Sequence, residues 1–106
     1  MSKKKPIYDF PAKYGNYKVY LEFGVYKNGR TAIELKDAED GMPVMVVTVN
    51  MDNAPLFGDE IIIKNYSENE GVLQFLQANG IVGPAKRWIA SGWVTCPVVD
   101  LLIKPY

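Results

Sequence analysis

Residues 17–37 read YKVYLEFGVYKNGRTAIELKD, and this stretch decides the fold class. Tyr17, Val19, Leu21, Phe23 and Val25 alternate with Lys18, Tyr20, Glu22, Gly24 and Tyr26. A period of two, carried by aromatic and β-branched residues, marks a strand with one face toward a core. Lys27-Asn28-Gly29-Arg30 follows, and Asn-Gly suits a type I′ turn because both central residues need positive φ. Thr31, Ile33 and Leu35 resume the alternation, so 17–37 reads as a β-hairpin.

Downstream, Glu39-Asp40-Gly41 and Pro43 make the next turn, and 44–50 reads as a third strand. A loop over 52–58, with Asn53 and Pro55, leads to a fourth strand over 60–66. Ile61-Ile62-Ile63 is apolar on both faces, which predicts a central strand or one covered by a helix. Ser67-Glu68-Asn69-Glu70 has the form of a capping box. Val72, Phe75 and Leu76 then recur at helical spacing. Gly80 ends that helix as its left-handed C′ residue, and Ile81 packs back on it. The helix spans about ten residues, roughly 15 Å. Beyond Pro84, residues 86–103 read as one or two strands, interrupted at Gly92 and Pro97, which suggests a bend or an edge position. The order β-β-β-β-α-β-β predicts an α+β fold: an antiparallel sheet of five to six strands with one short helix packed on one face.

The 106 residues fit a single domain over 1–106, with 1–6 a flexible basic terminus. A chain of this size buries roughly 65% of its unfolded surface, so no metal or disulfide is needed to hold it. Apolar residues make up 48% and charged residues 23%, the balance of a folded globule. Cys96 is the one cysteine, which excludes an internal disulfide and favours a reducing cytoplasm. The basic beginning lacks the apolar segment of a signal peptide, and Asn65-Tyr66-Ser67 has no meaning as a glycosylation acceptor without secretion. No apolar run approaches a membrane span.

Histidine is absent. That removes Ser-His-Asp and Cys-His nucleophiles, histidine bases and histidine metal ligands together. Cys96 sits in an apolar run with no basic neighbour to lower its pKa, so it reads as a small packed residue. Glu39-Asp40 and Asp59-Glu60 are carboxylate pairs at turn-like boundaries, where such residues are commonly solvated. Asp37 to Gly41 fails the ligand spacing of a calcium loop, and no glycine pattern cradles a nucleotide. The reading is a non-enzyme with no cofactor and no metal.

Charge is uneven although the total is zero. Residues 1–30 carry seven Lys/Arg against two Asp/Glu, 31–73 two against nine, and 74–106 three against one. Turn chemistry and the helix dipole account for several of the central acids. Gathered in space, the same acids would form a patch that engages a cationic groove. The beginning interleaves Lys3, Lys4, Lys5, Lys13, Lys18 and Lys27 with Tyr8, Tyr14, Tyr17, Tyr20 and Tyr26. That mixture suits single-stranded nucleic acid, or simply strands with solvated edges. A pI near 6.2 makes direct nucleic-acid binding the weaker reading. Trp88 and Trp93 suit a core or an interface equally.

Four stretches carry a resemblance: Leu21 through Arg30; Asp37-Ala38-Glu39-Asp40-Gly41-Met42-Pro43; Thr48-Val49-Asn50; and Ile63 through Gly71. Together they are similar to a family of short, otherwise uncharacterised proteins of conjugative plasmids and phages of gut bacteria. The similarity spans 7–103, and its motifs are turns and a cap, not a site. Some members of that family are type II-A anti-CRISPR proteins. The resemblance therefore implies an inhibitor of an RNA-guided effector nuclease, acting on the nuclease or its guide complex and involving no membrane. Such nucleases hold nucleic acid in cationic channels. On this reading Glu34, Asp37, Glu39, Asp40, Glu68 and Glu70 form part of the inhibitory surface. The alternative is a nucleic-acid-binding accessory protein of a conjugative element that uses the Lys/Tyr-rich beginning.

Overall fold

The computed structural model describes residues 6–12, 15–51, 55–66, 69 and 71–104. These contain β1 (Tyr8–Ala12), β2 (Gly15–Val25), β3 (Thr31–Asp37), β4 (Pro43–Val46), β5 (Glu60–Ile62), α1 (Val72–Ala78), β6 (Arg87–Ser91) and β7 (Val94–Asp100). The fold is α+β, but the expected sheet of five to six strands is corrected to two antiparallel sheets. One has the order β1-β2-β3-β4 and the other β5-β7-β6.

The division occurs at Val47. In a regular antiparallel strand the N–H and C=O of one residue point to the same neighbour. At Val47 they part: the N–H donates to Ile33 O at 2.8 Å, on β3, while the C=O accepts from Lys64 N at 2.7 Å, just past β5. The chain thus leaves the first sheet, and Thr48 bridges antiparallel to Ile63 beside the second. This turn takes from Ile33 N–H the carbonyl that a continuing β4 would offer. Thr48 Oγ1 accepts that N–H instead, at 3.1 Å, and the Tyr26 hydroxyl lies 2.9 Å from the same Oγ1.

The β2–β3 connection also differs from its expected form. Tyr26 N–H donates to Arg30 O at 2.8 Å and Gly29 N–H to Tyr26 O at 2.9 Å. The loop is therefore 27–29, closed by Gly29 at φ 85, a three-residue hairpin loop in place of a two-residue one. Its register sets Leu21 against Leu35, Phe23 against Ile33 and Glu22 against Glu34. A two-residue turn would place Leu21 across from Lys36 and break the apolar pairing.

Val19 and Leu21 of β2 and Ile33 and Leu35 of β3 face one core with Ile61, Ile63 and Val99 from the second sheet. Helix α1 closes it with Val72, Leu73, Phe75 and Leu76. Phe10 of β1 meets Phe75 edge-on at 4.9 Å. Ile62, Cys96 and Val98 turn the other way into a smaller core under Val49, Met51, Leu56 and Tyr66. β5 is an outer strand of its sheet and not a central one; the other expected cover is present, with Ile61 and Ile63 in the core that α1 closes and Ile62 in the smaller one.

Ser67, Glu68 and Glu70 of the expected capping box lie outside the described residues. The helix N-cap is Gly71, which gives no side-chain cap; instead Asn65 Oδ1 accepts the Leu73 N–H at 3.0 Å. At the other end Gly80 has φ 69. Gly80 N–H donates to Gln77 O and Ile81 N–H to Leu76 O, so the last carbonyls are satisfied as the glycine predicted. Gly92-Trp93 is the β6–β7 turn, with Ser91 opposite Val94. Pro97 lies inside the central strand β7, not at an edge. Its C=O accepts from Ile63 N at 3.0 Å, but its ring returns no N–H, and the β5 ladder stops there.

Thr48→Val keeps the shape of the side chain and leaves the buried Ile33 N–H without its acceptor. The expected loss is about 1–3 kcal/mol, against about 0.5–1.5 kcal/mol for Tyr26→Phe. Urea unfolding followed by circular dichroism checks both, with m expected to stay unchanged.

Candidate partner-binding surface

The pleat that buries Leu21, Ile33 and Leu35 turns Tyr20, Glu22, Glu34 and Lys36 to the opposite, outer face of the first sheet. That face is open to solvent. Glu22 and Glu34 stand directly opposite each other on neighbouring strands, and both are half-buried. Like charges in this position oppose folding; Lys36 Nζ, 4.0 Å from the Glu34 carboxylate, offsets part of the repulsion. Beside them Gly24 opposes Ala32, so the surface drops into a hollow of about 220 Å³ bordered by Glu22, Glu34, Tyr26 and Val46.

The other expected acids sit at the β3–β4 turn. Asp37 pairs with the buried Val19, which places it on the face of β3 opposite to Glu34. Its Oδ1 accepts from Glu39 N at 2.8 Å, and Asp40 Oδ1 accepts from Met42 N at 2.9 Å. Both aspartates therefore shape the turn as well as charge it. Glu39 and Asp40 are exposed. A Cβ on Gly41 would lie 3.5 Å from the Tyr20 hydroxyl, so the turn leans toward the outer face that Tyr20 occupies. Glu68 and Glu70 lie outside the described residues. Glu22 joins the group through register alone and was not among the residues expected from sequence.

The basic, tyrosine-rich beginning is partly accounted for. Lys3, Lys4, Lys5, Lys13 and Tyr14 lie outside the described residues. Lys18 pairs with Asp9 at 2.5 Å, Tyr8 packs edge-on against Phe75, and Tyr26 binds Thr48. Trp88 and Trp93 are both exposed, Trp93 wholly so at the hairpin tip.

A second charged cluster lies on the three-stranded sheet. The Glu60 side chain is 3% exposed. Arg87 grips it with two hydrogen bonds of 2.7 and 2.9 Å, Lys86 Nζ lies 2.8 Å from it, and Phe57 N–H donates to it at 2.9 Å. Arg87 first, then Lys86 and the Phe57 N–H, hold its carboxyl far below the usual carboxylate range. Arg87 also donates to Pro55 O at 2.7 Å, so the cluster ties the 55–57 segment to β6. Each oxygen of the Glu60 carboxylate is met by two donors of the protein, which makes the cluster a structural clamp. Burial pushes the Cys96 thiol up, in keeping with a packed residue. Among the described residues no three of His, Cys, Asp and Glu gather where a metal ion could sit. No helix among them is long and apolar enough to cross a membrane.

Comparison with protein-family models, curated proteins and solved structures finds no match to this chain.

Because the Glu60 carboxyl titrates lower when folded than when unfolded, its stabilisation is present above the ordinary carboxylate range, near 4.3, and fades as pH falls below it. Glu60→Gln is expected to lower the melting temperature at neutral pH, with the gap to the native chain narrowing steadily below about pH 4. Thermal scans from neutral to acidic buffer read that gap; a gap independent of pH would contradict the clamp.

Proposed function

We propose that this chain inhibits a larger protein by occupying a cationic surface on it. The partner implied by the family resemblance is the RNA-guided effector nuclease of a type II-A system or its guide complex, met in the cytoplasm. One observation carries the surface-binding reading: the Glu22–Glu34 pair, held across two strands beside an apolar hollow on an open sheet face. An arginine or lysine of the partner would lay its stem in the hollow and its charged head between the carboxylates. Nucleases of this class line their nucleic-acid channels with such cations and read the flanking motif through arginines. Asp37, Glu39 and Asp40, at the end of the same sheet, would add steering toward that surface. Zero net charge makes this a local contact and not a mimic of a whole duplex.

The test is target cleavage by a purified type II-A nuclease with its guide, measured against increasing amounts of this protein. The native chain is expected to suppress cleavage. Glu22→Gln with Glu34→Gln should weaken suppression by about tenfold or more, while stability changes by no more than about 0.5 kcal/mol. Asp37→Asn and Asp40→Asn retain the turn acceptors and are the right companions; Glu39, Glu68 and Glu70 form a further set. Suppression indifferent to all of these would reject the surface, and no suppression by the native chain would reject the function. Binding of DNA by the protein alone, falling steeply with salt, would instead support the accessory-protein alternative.

A further inference from the structure

β6 is one of the two outer strands of the three-stranded sheet, and the ladder fixes which backbone groups it leaves over. Ile63 N–H donates to Pro97 O, so residue 97 faces β5, and 94, 96 and 98 face β6. Their partners Ser91, Ile89 and Arg87 therefore turn N–H and C=O inward to β7. Trp88 and Ala90 turn theirs outward, and no backbone hydrogen bond reaches them among the described residues. Both are exposed, Trp88 at 55%.

Sheet edges are normally guarded against pairing by proline, lysine, shortness or bulges. The edges of the first sheet follow that rule. β1 carries Pro11 and the Asp9–Lys18 ion pair, and β4 is four residues long and begins at Pro43. β6 has no proline and no lysine, and its one charge, Arg87, is turned inward onto Glu60.

We propose that β6 pairs with β6 of a second copy of this chain, antiparallel about a two-fold axis at Ile89. In that register Trp88 of each copy stands opposite Ala90 of the other, and each such pair exchanges both N–H···O bonds. A large side chain meets a small one, which suits close packing. Arg87 falls opposite Ser91, so no like charges face each other. Trp93, wholly exposed at the hairpin tip, passes beyond the paired strands toward Lys86 of the second copy, an aromatic face beside a cation. The contact is isologous, as a two-fold dimer requires. It is also short, five residues, which places it among weak interfaces with a dissociation constant on the order of 100 µM. It lies on the other sheet from Glu22 and Glu34, and stands or falls independently of the proposed function.

Sedimentation velocity from about 10 µM to about 1 mM reads this range of affinity. The native chain is expected to shift from monomer to dimer across it. Ala90→Pro is the telling variant. The Ala90 N–H points away from β7, so proline removes no bond of the β6–β7 ladder, yet it removes a donor from each side of the dimer. Dissociation should rise by about tenfold or more, while amide resonances distant from β6 stay in place. Should Ala90→Pro disturb the fold, Ala90→Lys, an edge guard that keeps the backbone donor, is expected to weaken association likewise. A monomer at every concentration, or a dimer unchanged by a folded variant at Ala90, would overturn the proposal.

Discussion

The architecture depends on Val47 giving its N–H to one strand and its C=O to another. A sheet ladder is a row of paired polar groups, and a buried group left out of it costs about as much as a lost hydrogen bond. The chain can change sheets inside the core only if every freed group finds a new partner. Lys64 takes the Val47 carbonyl, and the Thr48 hydroxyl takes the Ile33 N–H. Tyr26 anchors that hydroxyl from the end of the hairpin. The three contacts form one device, which lets the two sheets diverge around a shared interior.

The rest of the packing follows from that divergence. Because the sheets part, α1 seats Phe75 and Leu76 against residues of both. Because 49–51 runs beside β5, the opposite face of the second sheet is covered as well. Burying an isoleucine side chain contributes about 1.5–3 kcal/mol, so Ile61, Ile62 and Ile63 let so short a strand hold its place between two cores. Pro97 limits β5 to three residues by withholding a donor where Ile63 would need one. The Glu60 clamp then secures the loop that roofs the smaller core.

Much of this was legible in the residues. The alternation over 17–37, the two-sided apolar run at 61–63 and the glycine stop at 80 each rest on local periodicity or local backbone conformation. What escaped depends on partners distant in the chain. Asn65 caps Leu73 from eight residues away, and no short motif signals that. β1 carries Pro11, which masks a strand, and it is held by its ladder with β2 and by Phe10 against Phe75, partners distant in the chain. The split at Val47 is invisible because 44–50 remains strand-like on both sides of it. The hairpin register is the instructive case. Asn28-Gly29 alone suggests a two-residue turn, but the demand that Leu21 meet Leu35 excludes it. Applying that demand first would have set Glu22 opposite Glu34 from sequence alone.

That register also separates the acids by what holds them. Asp37 and Asp40 are fixed by hydrogen bonds to their own turn, which their carboxylates serve to form. Glu22 and Glu34 are set face to face by the ladder itself, a placement in which like charges repel. Carboxylates held by a rigid sheet lose little conformational freedom if they bind, which is why the proposed contact is placed on them. The geometry that sets like charges together at this point is the one on which the proposed cationic contact rests. The sheet tolerates it because its opposite face, packed against Phe75, Leu76 and the second sheet, supplies far more than two glutamates take away.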